Sequence, residues 1–126
     1  MSKVIINSSQ APAPIGPYNQ AVRAGNLLFI SGQIALDPLS GELKNSTVAE
    51  ETRQVLSNLS AILKEAGMGF DQVVKTTIFL SDMSLFTEVN EIYAGVFSGE
   101  FPARETVAVK GLPRQVNVEI SMIASL

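Results

Sequence analysis

The 126-residue sequence has no histidine, no cysteine and no tryptophan. Without imidazole or thiol there is no serine–histidine triad, cysteine nucleophile, disulfide, zinc finger or iron–sulfur cluster. No imidazole is available to titrate near neutral pH. Charge is scarce as well: Asp, Glu, Lys and Arg make up 17% of the chain, against about 25% in an ordinary soluble protein. Nine basic and twelve acidic residues leave a net charge of −3, which argues against a nucleic-acid reader with a counterion-displacing basic stripe. No apolar run approaches the ~20 residues of a membrane span. The run Val4-Ile5-Ile6 is too short for a signal-peptide core. The acidic residues show no metal-ligand spacing, and no glycine-rich phosphate loop is present. These absences predict a soluble, cytoplasmic protein with no metal and no other cofactor. Catalysis is confined to carboxylates, arginine or lysine, hydroxyls, backbone amides and water.

What is present predicts one domain over residues 1–126. Hydrophobic residues make up 46% of the chain, more apolar surface than so small a monomer hides easily, and a second copy is the natural cover. Strands are predicted at 3–7, 20–24, 27–34, 73–80, 104–110 and 116–124, with Gly25-Asn26 as a hairpin turn. The proline-rich stretch 10–18 is an extended loop. Thr47 and Glu50 fit a capping box, followed by Val48, Val55, Leu59 and Ile62 at helical spacing, with Gly67 as the stop. Ser84 is the expected cap of a second helix lined by Leu85, Val89, Ile92 and Val96. The order ββ β α β α β β predicts an α+β sandwich, a mixed sheet with two helices on one face. Strands such as Leu27-Leu28-Phe29-Ile30 are apolar on both sides, so the other face is expected to meet neighbouring subunits.

The last two strands suggest a site. Read as a C-terminal hairpin with valine paired to valine, they place Arg104 and Glu119 on one face. If Lys110 pairs with Gln115, Thr106 faces Glu119 and Arg104 lies about 7 Å further along. That gap fits a small carboxylate held by the arginine. It also fits a cross-strand salt bridge worth only ~0.2–1 kcal/mol, and alternation alone leaves both readings open. Tyr18 reads equally as a half-buried aromatic, Ser31-Gly32 as a bulge, and Asn90 as a structural amide.

Gly16-Pro17-Tyr18-Asn19-Gln20-Ala21, Phe29-Ile30-Ser31-Gly32-Gln33, and Phe101-Pro102-Ala103-Arg104 followed by Val118-Glu119-Ile120 resemble the signatures of the reactive intermediate deaminase (RidA/YjgF) family. Val89-Asn90-Glu91-Ile92-Tyr93 is similar to that family's second helix. The resemblance implies a chorismate-mutase-like fold, a homotrimer with sites between subunits, and hydrolysis of 2-iminopropanoate and 2-iminobutanoate to 2-oxo acids and ammonia. It implies that Arg104 grips the substrate carboxylate and Glu119 holds the attacking water. Tyr18 and Ser31 would then line the pocket, Gly32 would admit the ligand to the backbone, and Asn90 would serve as a helix amide. Thr106 stands where many relatives have cysteine; its carbonyl or amide can still serve in substrate binding, but no thiol role is left. Glu105 replaces a small residue but alternates away from Arg104. The small-molecule partner is a 2-imino or 2-oxo acid, with no nucleic acid or membrane partner expected. Two other readings stand beside it: a non-catalytic 2-oxo-acid-binding regulatory module that uses the same carboxylate pocket at Arg104, and the endoribonuclease or translation-inhibitor role that the resemblance also implies. The composition gives the last of these no support.

Overall fold

Thr47 and Glu50 start a helix as their spacing predicts. In the computed structural model of the chain, which describes residues 2–126, α1 runs Val48–Glu65. Thr47 Oγ1 accepts the Glu50 N–H at 3.0 Å, and the Glu50 carboxylate accepts the Ser46 N–H at 2.9 Å, one residue before the cap. The helix ends where Gly67 turns left-handed at φ +74°. There the Met68 N–H reaches the Leu63 carbonyl and the Gly67 N–H that of Lys64, both at 2.9 Å, closing a Schellman motif. Val55, Leu59, Ile62 and Leu63 form its fully buried stripe.

The second helix begins differently from the prediction. Ser84 is not the cap; Asp82 accepts the Ser84 N–H at 2.8 Å, and a 3₁₀ turn at Met83–Leu85 leads into α2, Phe86–Ala94. Both residue types cap well, and the role falls to Asp82, whose backbone is extended (φ −158°, ψ 137°) as an N-cap requires.

Six strands form one sheet: β1 Val4–Ile6, β2 Ala21–Ala24, β3 Leu27–Gln33, β4 Val73–Leu80, β5 Ala103–Ala108 and β6 Val118–Ser125. All six predicted strands are present, with ends moved by up to two residues. Gly25, at φ +60°, is the first of the two turn residues joining β2 to β3. The spatial order is β1-β2-β3-β6-β4-β5, with β4 and β5 parallel and the other pairs antiparallel. The architecture is therefore the predicted α+β mixed sheet with two helices.

The predicted C-terminal hairpin does not form. β6 lies between β3 and β4, and β4 separates it from β5. The burial of each strand explains the choice. β6 buries Val118, Ile120, Met122 and Ala124, whereas β5 buries no residue and takes the edge. The parallel β4–β5 pair is made by the crossover through α2. The register reverses the expected face relation. Thr76 stands opposite Arg104 and Met122, and Ile78 opposite Thr106 and Ile120, on the helix side. Phe79 stands opposite Val107 and Glu119, on the other side. Arg104 and Glu119 do not share a face, so Thr106 does not face Glu119 and no salt bridge joins the two within a chain.

That second face has no helix over it. It carries Ile5, Leu27, Phe29 and Val107, with Phe29 44% and Val107 41% exposed. No helix is long and apolar enough to cross a membrane among the described residues.

Candidate functional site

The helix side of the edge strand holds the first cleft. Arg104 on β5 donates from Nη1 to Asn90 Oδ1 at 2.6 Å. Its guanidinium lies 5.1 Å from the Tyr93 ring centroid and 5.6 Å from that of Phe86. Phe86, Asn90 and Tyr93 fall at spacings of four and three on α2, so one helix face presents all three to the arginine. Tyr93 is itself held, its hydroxyl donating to Thr76 Oγ1 at 3.0 Å. Burial pushes the Tyr93 phenol up, opposed by the Thr76 hydrogen bond and the charge of Arg104. An open cleft of about 430 Å³ lies here, lined by Asn90, Tyr93, Ala94, Phe101, Pro102 and Arg104.

No acid pairs with Arg104; the ion pairs among the described residues are Lys44–Asp37 and Lys75–Glu105. Its remaining N–H donors are available to an anion. Two residues along the strand, Thr106 Oγ1 is buried with no hydrogen-bond partner among the described residues. An orphaned hydroxyl costs about 1–3 kcal/mol unless a ligand meets it. Glu105 points away from Arg104, as its alternation predicts. It pairs with Lys75 at 3.0 Å and accepts from Thr77 Oγ1 at 3.2 Å. The hydrogen bond from Lys75 is the main influence holding its carboxyl below the usual range.

The opposite side of the sheet holds the second cleft, of about 100 Å³, with Tyr18, Gln20, Gly32, Pro113 and Glu119 in its lining. Ser31 and Gly32 together oppose the single residue Ser121, which makes this a β-bulge, the plainer of the two sequence readings. Gly32 lies beneath the Glu119 side chain. A Cβ at position 32 would sit 2.8 Å from Glu119 Cδ and 3.0 Å from Cγ, so the missing side chain makes room for the carboxylate itself. Burial pushes the Glu119 carboxyl up, with no hydrogen bond or charge to offset it. Arg104 has no influence on it within the chain, because the arginine is on the far face.

Ser31 adjoins this cleft, but its hydroxyl donates to the Asn19 carbonyl at 2.7 Å and so holds the preceding loop. Tyr18 is half exposed, and its hydroxyl accepts the Ile15 N–H at 3.4 Å. Gln20 was not singled out from sequence. Its buried side chain accepts the Ser8 N–H and donates to the carbonyls of Ser8, Ala11 and Pro12, fixing the proline-rich loop that walls the cleft. Phe86 and Tyr93 were also missed as neighbours of Arg104, because at helical spacing they read as core. The structure thus brings Arg104, Asn90 and Thr106 together on one face, and Tyr18, Gly32 and Glu119 on the other. Among the described residues, no group of three acidic side chains is placed to hold a metal ion.

This arrangement belongs to a fold seen in other proteins. Residues 8–126 match the Endoribonuclease L-PSP family. A mouse protein named 2-iminobutanoate/2-iminopropanoate deaminase is 52% identical over 120 residues, which cover 95% of this chain and 89% of the mouse protein. The crystal structure of RidA from an Antarctic Psychrobacter matches with a TM-score of 0.94 at 38% identity, covering 98% of this chain and 99% of that one. The crystal structure of E. coli TdcF with bound serine matches with a TM-score of 0.93 at 37% identity, covering 98% of each chain. With a family match over all but the first seven residues and relatives at this level of identity, the chain belongs to the Endoribonuclease L-PSP family, which includes RidA.

Proposed function

We propose that the protein is a 2-iminobutanoate/2-iminopropanoate deaminase, a cytoplasmic hydrolase whose sites are shared between the subunits of a homotrimer. One observation carries the proposal. The two clefts hold complementary chemistry on opposite faces of one sheet, so a single chain cannot bring guanidinium and carboxylate to the same small molecule. A second copy of the chain can. The exposed apolar face around Glu119 offers the surface such an assembly would bury. The name of the mouse relative and the serine bound to E. coli TdcF support a small amino-acid-like substrate.

In this reading Arg104 binds the substrate carboxylate through paired N–H donors. Asn90, Phe86 and Tyr93 fix the plane of the guanidinium, and the Thr106 hydroxyl gains the partner it lacks. Glu119 of the partner subunit holds a water over C2 of the imine. The water oxygen bonds to C2, its proton passes to Glu119, and the C=N π pair moves to nitrogen. Starting from the protonated imine, the first step leaves a neutral amine. Glu119 then returns the proton to that amine, which leaves as ammonia with the C–N pair while the C2 hydroxyl closes to the carbonyl and passes its proton to the departing ammonia, which is released as ammonium. The iminium carbon is already electrophilic, so these steps rest on orientation and on a placed water more than on a strong base.

Imines released in situ by a pyridoxal-phosphate dehydratase acting on threonine provide the test, with semicarbazide competing for them. The protein is expected to accelerate ammonia release and suppress semicarbazone formation. Binding of 2-oxobutanoate without acceleration would make it a non-catalytic binding module. Cleavage of RNA without imine hydrolysis would favour the activity in the family's name.

A further inference from the structure

Glu51 has 0% exposure and takes no part in the chemistry above. It lies in the first turn of α1, where the helix N–H groups favour negative charge, but no lysine or arginine pairs with it. Its side-chain hydrogen bonds come from a distant part of the chain. Oε2 accepts the N–H of Asn117 at 2.7 Å and of Val118 at 2.9 Å, and Oε1 accepts Asn117 Nδ2 at 3.2 Å. Two carboxylate oxygens serve these three donors together, which the single oxygen of an amide would not do as well.

Asn117 is gripped from its other side by Ser81, just beyond β4. The Ser81 N–H donates to the Asn117 carbonyl at 2.9 Å and Ser81 Oγ to Asn117 Oδ1 at 2.8 Å. The chain reaches this clamp through Arg114 (φ 55°) and Gln115 (φ 57°), consecutive left-handed residues without glycine's freedom. A strained turn leaves the direction of the following strand to be set by something outside it. Asn117 and Val118 are the two residues immediately before Glu119.

We infer that Glu51 is a positioning residue: its carboxylate fixes the start of β6 so that Glu119 stands over Gly32 in one setting. The inference rests on the deaminase reading for its kinetic consequence but not for its geometry.

Glu51→Asp tests it, because the substitution keeps the charge and shortens the reach by one methylene. The expected result is a fall in kcat for 2-iminobutanoate of about tenfold or more. The Kd for 2-oxobutanoate should stay within about twofold, since Arg104 lies on the other face. In a Glu119→Gln background, Glu51→Asp should lower kcat no further. An equal loss in both backgrounds would make Glu51 a structural strut and overturn the inference.

A carbon-13 titration of the Glu119 carboxyl needs no turnover. In Glu51→Asp its midpoint is expected to drop toward the ordinary carboxylate range as the group leaves its half-buried place. An unchanged midpoint overturns the inference, even if the wild-type protein proves inactive on imines, a separate result that would overturn the deaminase reading. Should Glu51→Asp fail to fold, Asn117→Ala carries the same comparison. It removes the side-chain bonds to Glu51 and Ser81 but keeps both backbone donors, so a smaller kcat loss with unchanged product affinity is expected. Unchanged kcat would again overturn the inference.

Discussion

Arg104→Lys is expected to lower kcat/KM for 2-iminobutanoate by about a hundredfold or more while the protein remains folded. Lysine keeps the positive charge but loses the planar fork that holds a carboxylate in one orientation. It also loses the geometry of the 2.6 Å bond to Asn90 and the flat face set against Tyr93 and Phe86. The fold should tolerate the change, because Arg104 sits on the edge strand and pairs with no acid whose charge would be stranded. Steady-state kinetics alongside a thermal melt would check both halves. Near-wild-type efficiency would remove Arg104 from the substrate site.

Glu119→Gln is expected to lower kcat by ~10²–10⁴-fold, the usual contribution of a placed acid–base group. Affinity for 2-oxobutanoate should survive, since Arg104 is untouched. The pH dependence follows from the direction of the Glu119 shift. Burial raises its pKa, so the wild-type rate should climb with pH through a midpoint above the ordinary carboxylate range, and this limb should vanish in the variant. Stability should move the opposite way. A carboxyl whose folded pKa is raised contributes stability below its unfolded pKa and loses it as pH rises through the folded one. At neutral pH the carboxylate therefore carries a burial cost that a glutamine side chain would not. Glu119→Gln should melt higher there, with the difference fading in acid. A uniform loss of rate and product affinity would point instead to a damaged structure.

Local signals in the sequence translate directly into structure. Thr47 and Glu50 sit at the start of α1, Gly67 at its stop and Gly25 in the β2–β3 turn, because each involves atoms within a few residues of one another. The partner of a strand is a different kind of information. Residues 104–110 and 116–124 alternate correctly, but alternation does not say that β4 comes between them, and that strand reverses the face relation of Arg104 and Glu119. Asp82 and Ser84 are equally good caps by type, and the backbone alone separates them. Glu51 was illegible for a related reason. An acid in a first helical turn reads as an answer to the helix dipole, and nothing local announces a bond to residue 117. The candidate site residues were legible as a motif, while their division between two faces was not.

That division leads to the most direct measurement. Arg104→Lys and Glu119→Gln chains, each expected to keep about a hundredth of the activity or less alone, are co-expressed in equal amounts and purified together without sorting by composition. If each site joins the Arg104 cleft of one subunit to the Glu119 cleft of the next, random mixing leaves about a quarter of the sites with both groups intact. Imine hydrolysis should then return to about a quarter of the wild-type rate per site. Mixed assemblies as inactive as either parent would contradict the shared site, because they would mean that Arg104 and Glu119 act within one chain or not together at all.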